Sequence, residues 1–183
     1  MTSKKTGLGA ALVTGASAGI GAVYAERLAD RGYDLVLVAR RRAELETLAA
    51  NISGRTGRKV DVLVADLGQS EGQEAVARRL RDDETITVLV NNAGIAVGGP
   101  VPGGDVTAVE KMLAINVVAL TRLAGEAATV FTARQCGTII NISSAMAVLP
   151  SAAAAAYAAT KAYVLHLSRG LGEAVARQGV HVQ

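Results

Sequence analysis

The chain has 183 residues, 50% of them hydrophobic and only 3% aromatic, with a net charge of +3. That length fits one domain over residues 1–183, with a core built from Ala, Val, Leu and Ile. The small charge, Arg clusters without interleaved aromatics and the absence of Trp weigh against nucleic acid, and a single Cys excludes an internal disulfide and fits a reducing compartment.

Lys4 and Lys5 precede an apolar stretch, but it runs into glycines without a cleavage pattern, so residues 10–13 read as a first strand and not a secretion signal. Thr14-Gly15-Ala16-Ser17-Ala18-Gly19-Ile20-Gly21 follows, then a helix over 20–31 with Val23, Ala25, Leu28 and Ala29 on its apolar face. Strand, glycine turn and helix make the context of a dinucleotide site. Glycines admit a pyrophosphate to the backbone, and the helix N-terminus offers unpaired N–H groups. A second strand over 34–38 ends in Ala39-Arg40-Arg41-Arg42 and a helix over 41–56. The third strand, 60–65, ends in Asp66-Leu67. A helix over 70–82 turns Arg78, Arg79 and Arg81 to solvent. The fourth strand, 86–90, leads into Asn91-Asn92-Ala93-Gly94, a Gly- and Pro-rich loop over 98–104, and a long helix over 105–133 that carries Asn116.

Cys136 lies at a helix-to-strand turn, where a passive role is expected. The fifth strand, 138–142, runs into Ser143-Ser144, and an alanine-rich lead-in over 151–156 opens a helix over 155–177. A last strand stub covers 180–183. His166 is expected to pack within its helix and His181 to sit in a strand. Neither has a partner at metal spacing, so no metal is expected. No run approaches the ~18 apolar residues of a membrane span, and the protein is expected to be cytoplasmic. The alternation predicts an α/β fold: a doubly wound parallel sheet with right-handed crossovers and helices on both faces.

Tyr157 and Lys161 stand one helical turn apart and so share a face. A phenol titrates near a pKa of about 10 in water. A fixed neighbouring cation favours the phenolate and brings the group toward the range of a general acid/base.

The motifs, taken in order, resemble the short-chain dehydrogenase/reductase family over essentially the whole chain. They are the turn Gly15-x-x-x-Gly19-Ile20-Gly21, Asn91-Asn92-Ala93-Gly94 after an apolar strand, Asn116 in a helix, Ser144 after the fifth strand, and the pair Tyr157 and Lys161. The resemblance implies a Rossmann fold and reversible hydride transfer between a nicotinamide cofactor and a carbonyl or secondary alcohol. It implies that Tyr157 exchanges the proton, that Lys161 lowers the phenol pKa and contacts the nicotinamide ribose, and that Ser144 binds the carbonyl oxygen. Asn116 would keep a local opening in its helix and link Lys161 to solvent through water. Gly15, Ser17, Gly19, Ile20, Gly21, Asn92, Ala93 and Gly94 would join Tyr157 and Lys161 around the cofactor, with Asp66 and Leu67 at the adenine. Ala145, Met146, Ala147, Val148, Leu149 and Pro150 would form an apolar substrate wall.

Charge points to the cofactor. Dehydrogenases that use NAD place an acidic residue at the end of the second strand. Here guanidiniums stand there, suited to a 2′-phosphate, with Arg40 as main contact, Arg41 second and Ser17 assisting. NADP(H) is therefore preferred, NAD(H) remaining possible. The long helices, 105–133 and 155–177, are apolar on more than one side (Met112, Val117, Leu120 and Leu123; Ala158, Ala162, Leu165 and Gly172), and in the family they pair into homodimers and homotetramers. Family members also continue past this point with a substrate-covering segment and a final strand. The chain is therefore expected to be either a natural or engineered fragment or only the ordered part of a longer protein, the second being preferred. A non-catalytic NADP(H)-binding regulator and an inactive truncated remnant stand as alternatives.

Overall fold

The computed structural model describes residues 7–98, 103–149 and 151–183. Lys4 and Lys5, residues 99–102 of the Gly- and Pro-rich loop, and Pro150 of the expected substrate wall lie outside them. Elements alternate as the apolar runs dictate: β1 (Ala10–Thr14), α1 (Gly19–Asp30), β2 (Asp34–Ala39), α2 (Arg42–Thr56), β3 (Val60–Val64), α3 (Ser70–Asp82) and β4 (Ile86–Asn91). Then come α4 (Val106–Leu113), a π-helical turn (Ala114–Ala119), α5 (Leu120–Arg134), β5 (Gly137–Asn141), α6 (Ala155–Val175) and β6 (Val180–Val182). The sheet is parallel throughout, in the order β3-β2-β1-β4-β5-β6. Chain direction across the sheet reverses between β1 and β4, and their carboxyl ends part to leave a crevice there.

Strand residues of opposite parity feed two cores. Leu12, Val36, Leu89 and Ile139 pack with Val76 and Leu80 of α3 and Leu123, Ala127 and Phe131 of α5. Ala11, Val13, Leu35 and Leu37 pack with Ala25 and Leu28 of α1 and Leu45 and Ile52 of α2. Helices thus cover both faces, as the alternation predicts.

Three expectations need correction. The helix expected as one piece over 105–133 is broken by the π-helical turn, after an N-cap at Asp105 whose carboxylate accepts from Ala108 N at 3.0 Å. That turn adds a residue and shifts the phase of everything beyond it. Met112 before the turn and Leu120 and Leu123 beyond it face the core, while Leu113 and Val118 stand exposed. Second, Val106–Arg134 is long and apolar enough, by length and composition, to cross a membrane. Its inner side is buried under the sheet, which accounts for the apolar composition. Third, His166 is exposed on α6 and not packed within it.

Candidate functional site

The crevice opens where β1 ends. Thr14 is 1% exposed, and its hydroxyl accepts from Asn92 N and Ala93 N, each at 3.0 Å, while donating to Val90 O at 3.2 Å. Asn92 Nδ2 in turn donates to Thr14 O at 3.0 Å and Gly15 O at 3.2 Å. The loop after β4 is thereby stitched to the glycine turn. Gly15 and Gly19 hold left-handed backbone, φ 65° and 57°. A Cβ at Gly15 would lie 2.8 Å from Asn92 Nδ2, and one at Gly21 would collide with the Gly15 carbonyl. Nothing crowds Gly19, which leaves the outer side of the turn open.

No side chain caps α1, whose N-cap position is Ala18. Its first N–H groups are left for an anion. Beside this helix end lies a cavity of about 380 Å³. Gly15 and Ser17 line it from the turn, Arg40 and Arg41 from the end of β2, Asp66 and Leu67 from the end of β3, and Ala93 and Gly94 from the loop after β4. Arg41 Nη2 donates to Ser17 Oγ at 3.1 Å and pairs with Glu44 at 3.2 Å. Arg41, ranked second from the sequence, is thus the guanidinium that reaches across to the turn. Asp66 Oδ1 accepts from Gly68 N at 2.9 Å, which fixes that carboxylate at the cavity rim. Ile20 lies apart from this cavity, exposed on α1.

Further along the loop, Asn116 occupies the π-helical turn and is 1% exposed. Its Oδ1 accepts from Ile95 N at 2.9 Å, and its Nδ2 donates to Ile95 O at 2.9 Å and Thr160 Oγ1 at 3.2 Å. Asn116 therefore clamps the loop after β4 against α6, and π-helical turns of this kind recur at functional sites. A Cβ at Gly94 would sit 3.3 Å from Asn116 Oδ1 and 3.7 Å from Lys161 Nζ, so glycine keeps the backbone close to both.

Lys161, 5% exposed, donates from Nζ to Ile142 O at 2.8 Å, and its ammonium lies 5.8 Å from the Tyr157 ring centroid. Burial holds its pKa below the usual lysine range. Among the described residues the ammonium pairs with no carboxylate. The Tyr157 side chain is half-buried, and its hydroxyl has no hydrogen-bond partner among them either. Ser144 opens a 3-10 turn (Ala145–Ala147), its Oγ accepting from Met146 N at 3.2 Å. It makes no direct bond to Tyr157 among the described residues. Beyond it, Val148 and Leu149 are exposed.

The fold thus gathers Asn116, Tyr157 and Lys161 where the loop after β4 meets α6, and the glycine turn with its guanidiniums around the cavity, whose lining reaches Gly94 and Ile95 but includes none of Asn116, Ser144, Tyr157 and Lys161. Three contributors escaped the sequence reading: Thr14, which carries the loop; Thr160, whose Oγ1 donates to Tyr157 O at 2.7 Å; and Ser143, whose Oγ donates to Lys161 O at 2.9 Å. Only Thr14 left a signal, a hydroxyl residue between an apolar strand and a glycine. Exposed Cys136 does not line the cavity.

A family model described as short chain dehydrogenase matches residues 9–183. Among curated proteins, the Very-long-chain 3-oxoacyl-CoA reductase of Anas platyrhynchos is 38% identical over 97% of this chain and 58% of its own length. The chain spans little more than half of the curated relatives it matches. Among solved structures, the bulky-bulky ketone specific alcohol dehydrogenase from Comamonas testosteroni superposes with a TM-score of 0.95 at 41% identity, over 97% of this chain and 72% of that one. A short-chain dehydrogenase from Sphingobium yanoikuyae, in complex with NADPH, gives 0.94 at 44% identity, over 96% and 69%. The motif order, the sheet order and these likenesses agree: the chain belongs to the short chain dehydrogenase family.

Proposed function

We propose that the protein is an NADP(H)-dependent oxidoreductase that interconverts a carbonyl and a secondary alcohol by hydride transfer, with Tyr157 as general acid/base. The observation that carries this reading is the buried Lys161 ammonium 5.8 Å from the Tyr157 ring centroid, next to Gly94, which itself lines the cavity at the glycine turn. The residues fit the cofactor. The open N-terminus of α1 suits a pyrophosphate, Asp66 and Leu67 suit the adenine, and Arg40, Arg41 and Ser17 suit a 2′-phosphate. NADP(H), when bound, supplies or accepts the hydride. The NADPH complex of the Sphingobium relative supports the cofactor preference.

The chain's own residues handle the proton and the charge. The Tyr157 hydroxyl gives a proton to the carbonyl oxygen during reduction and takes it back in the reverse direction. The Lys161 cation stabilises negative charge on the ring oxygen. Ser144 donates to the substrate oxygen where charge develops. Asn116 holds the loop at Ile95 and, through Thr160, the helix turn that bears Tyr157. An apolar substrate is part of the proposal: Met146, Val148 and Leu149 follow Ser144 directly, Val148 being 70% exposed, and the Comamonas relative is named for bulky ketones. So is assembly into a homodimer or homotetramer through the exposed Leu113 and Val118 and the neighbouring α6. So too is a cytoplasmic setting, which suits the unpaired thiol of Cys136.

The test is NADPH oxidation, followed by absorbance over a panel of aliphatic and aromatic ketones, with Tyr157→Phe in parallel. Turnover in the parent with a loss of ~10²-fold or more in the variant is expected. Full activity in Tyr157→Phe removes the proton donor. Tight NADPH binding without turnover of any carbonyl favours a non-catalytic binder.

A further inference from the structure

Two neighbouring strands end in the same residue at the same height. β4 and β5 pair in register with Asn91 beside Asn141, where the buried row of Leu89 and Ile139 gives way to amides. Both amides are buried. Asn91 Nδ2 donates to Asn141 Oδ1 at 3.0 Å, Asn141 Nδ2 donates to Ser168 Oγ at 3.0 Å, and Ser168 Oγ donates to Val164 O at 2.8 Å. The ladder thus runs from the middle of the sheet into α6, beyond Lys161. None of its three side chains lines the cavity.

Two more bonds join the same short stretch to the same helix: Lys161 Nζ to Ile142 O at 2.8 Å and Ser143 Oγ to Lys161 O at 2.9 Å. Around them α6 packs through Leu171 and Val175 onto Ile139 and Val180. Apolar packing is non-directional and tolerates small sliding of a helix over a strand. Hydrogen bonds demand distance and angle, and a buried amide left half-paired is costly. One height of the helix satisfies the ladder, and sliding breaks it.

The geometry points to Asn141, seated against Asn91 and reaching Ser168, as a positioning residue that sets α6 against the end of β5 and thereby the placement of Tyr157 and Lys161 relative to Ser144. This rests on the oxidoreductase reading above. The ladder touches neither substrate nor cofactor and acts through the helix that it holds.

Ser168→Ala and Asn141→Ala, made in the full chain, test it, with Ser168→Thr as the conservative partner. In Ser168→Ala, kcat is expected to fall about 10-fold or more, because small misplacements of reacting groups are amplified in rate. NADPH affinity, which on this reading is set mostly by the distant turn and only in part by Lys161, falls less than kcat. Ser168→Thr restores the hydroxyl and most of kcat. Parent-like kcat in Ser168→Ala, or parallel loss of kcat and NADPH affinity without recovery in Ser168→Thr, overturns the proposal. A readout free of turnover is the crystal structure of Ser168→Ala: displacement of α6 against β5 by about 0.5 Å or more supports the ladder, and an unmoved helix sinks it. Tyr157→Phe assayed alongside separates the two layers. Full turnover there removes the hydride-transfer reading, while the position of α6 still decides the ladder.

Discussion

Replacing Thr14 by Val keeps the shape of the side chain and deletes one hydroxyl that makes three hydrogen bonds. Two of them are received from Asn92 N and Ala93 N and one is given to Val90 O. The losses are unequal. Asn92 N also donates to Val90 O at 3.1 Å, so that pair remains satisfied. Ala93 N has no second acceptor among the described residues and is orphaned. One stranded, partly buried donor costs about 1–3 kcal/mol. In a domain of this size that corresponds to a fall in Tm of roughly 2–12 °C. Thr14→Ser retains the hydroxyl and loses a methyl, costing about 0.8 kcal/mol. The expected order of Tm by calorimetry is therefore parent, Ser, then Val. NADPH affinity by fluorescence titration weakens for Val, because Asn92 and Ala93 frame the cavity next to Gly15. A Val variant that melts with or above the Ser variant and binds NADPH like the parent refutes the role given to this hydroxyl.

Loss of Arg41 tests the cofactor preference: Arg41→Ala is expected to raise the Kd for NADPH by about 10-fold or more, one charge-assisted bond being worth ~1.5–3 kcal/mol, and to leave the Kd for NADH within about twofold. For Asp61 and Asp83, burial raises the carboxyl pKa, but hydrogen bonds outweigh it and hold both below the usual 3.8, Asp61 bonding to Arg79 and Lys59 and Asp83 to Thr85 and Arg79. Their contribution is present above the unfolded value and is lost as pH falls through the folded one, so Arg79→Met is expected to cost ~1 kcal/mol at pH 7 in denaturant titrations and to converge with the parent in acid below that window. Val118, 53% exposed on the π-helical turn, is expected at the subunit contact. Val118→Glu is therefore predicted to lower the mass seen by light scattering at micromolar concentration to that of a monomer, and an unchanged assembly rejects that surface.

Legibility followed the range of the forces involved. α3 was readable to the residue, Ser70–Asp82, because Val76, Ala77 and Leu80 supply a helical stripe amid charged neighbours. β1, β2 and β4 were readable as apolar runs cut off by glycine, arginine and asparagine. The π-helical turn was not readable in this way: only the family resemblance implied an opening, at Asn116. Ala114–Ala119 has nothing in its composition that distinguishes it from ordinary helix. The extra residue is stabilised by Asn116 bonding Ile95 and Thr160, partners remote in the chain. One inserted residue rotates the rest of the helix by about 100°, and Leu120 and Leu123 beyond it lie in the core. Arg40 was ranked above Arg41 from the sequence, but it is Arg41, at the N-cap position of α2, whose guanidinium reaches Ser17.

The loop after β4 ties the glycine turn to the π-helical turn. Its first half is held to the glycine turn by Thr14 and Asn92, and its second half is held to the π-helical turn at Ile95 by Asn116. Between the two clamps, Gly94 brings backbone within reach of Asn116 and Lys161, and a Cβ there would crowd Asn116 Oδ1. A short covalent segment fixed at each end transmits displacement poorly to solvent and well to its anchors. On the function proposed above, this segment would join the cofactor end of the site to the loop that Asn116 holds against the helix of Tyr157. Thr14, Asn92 and Asn116 shape this region by holding its backbone. Their hydrogen bonds set distances that the reacting groups inherit.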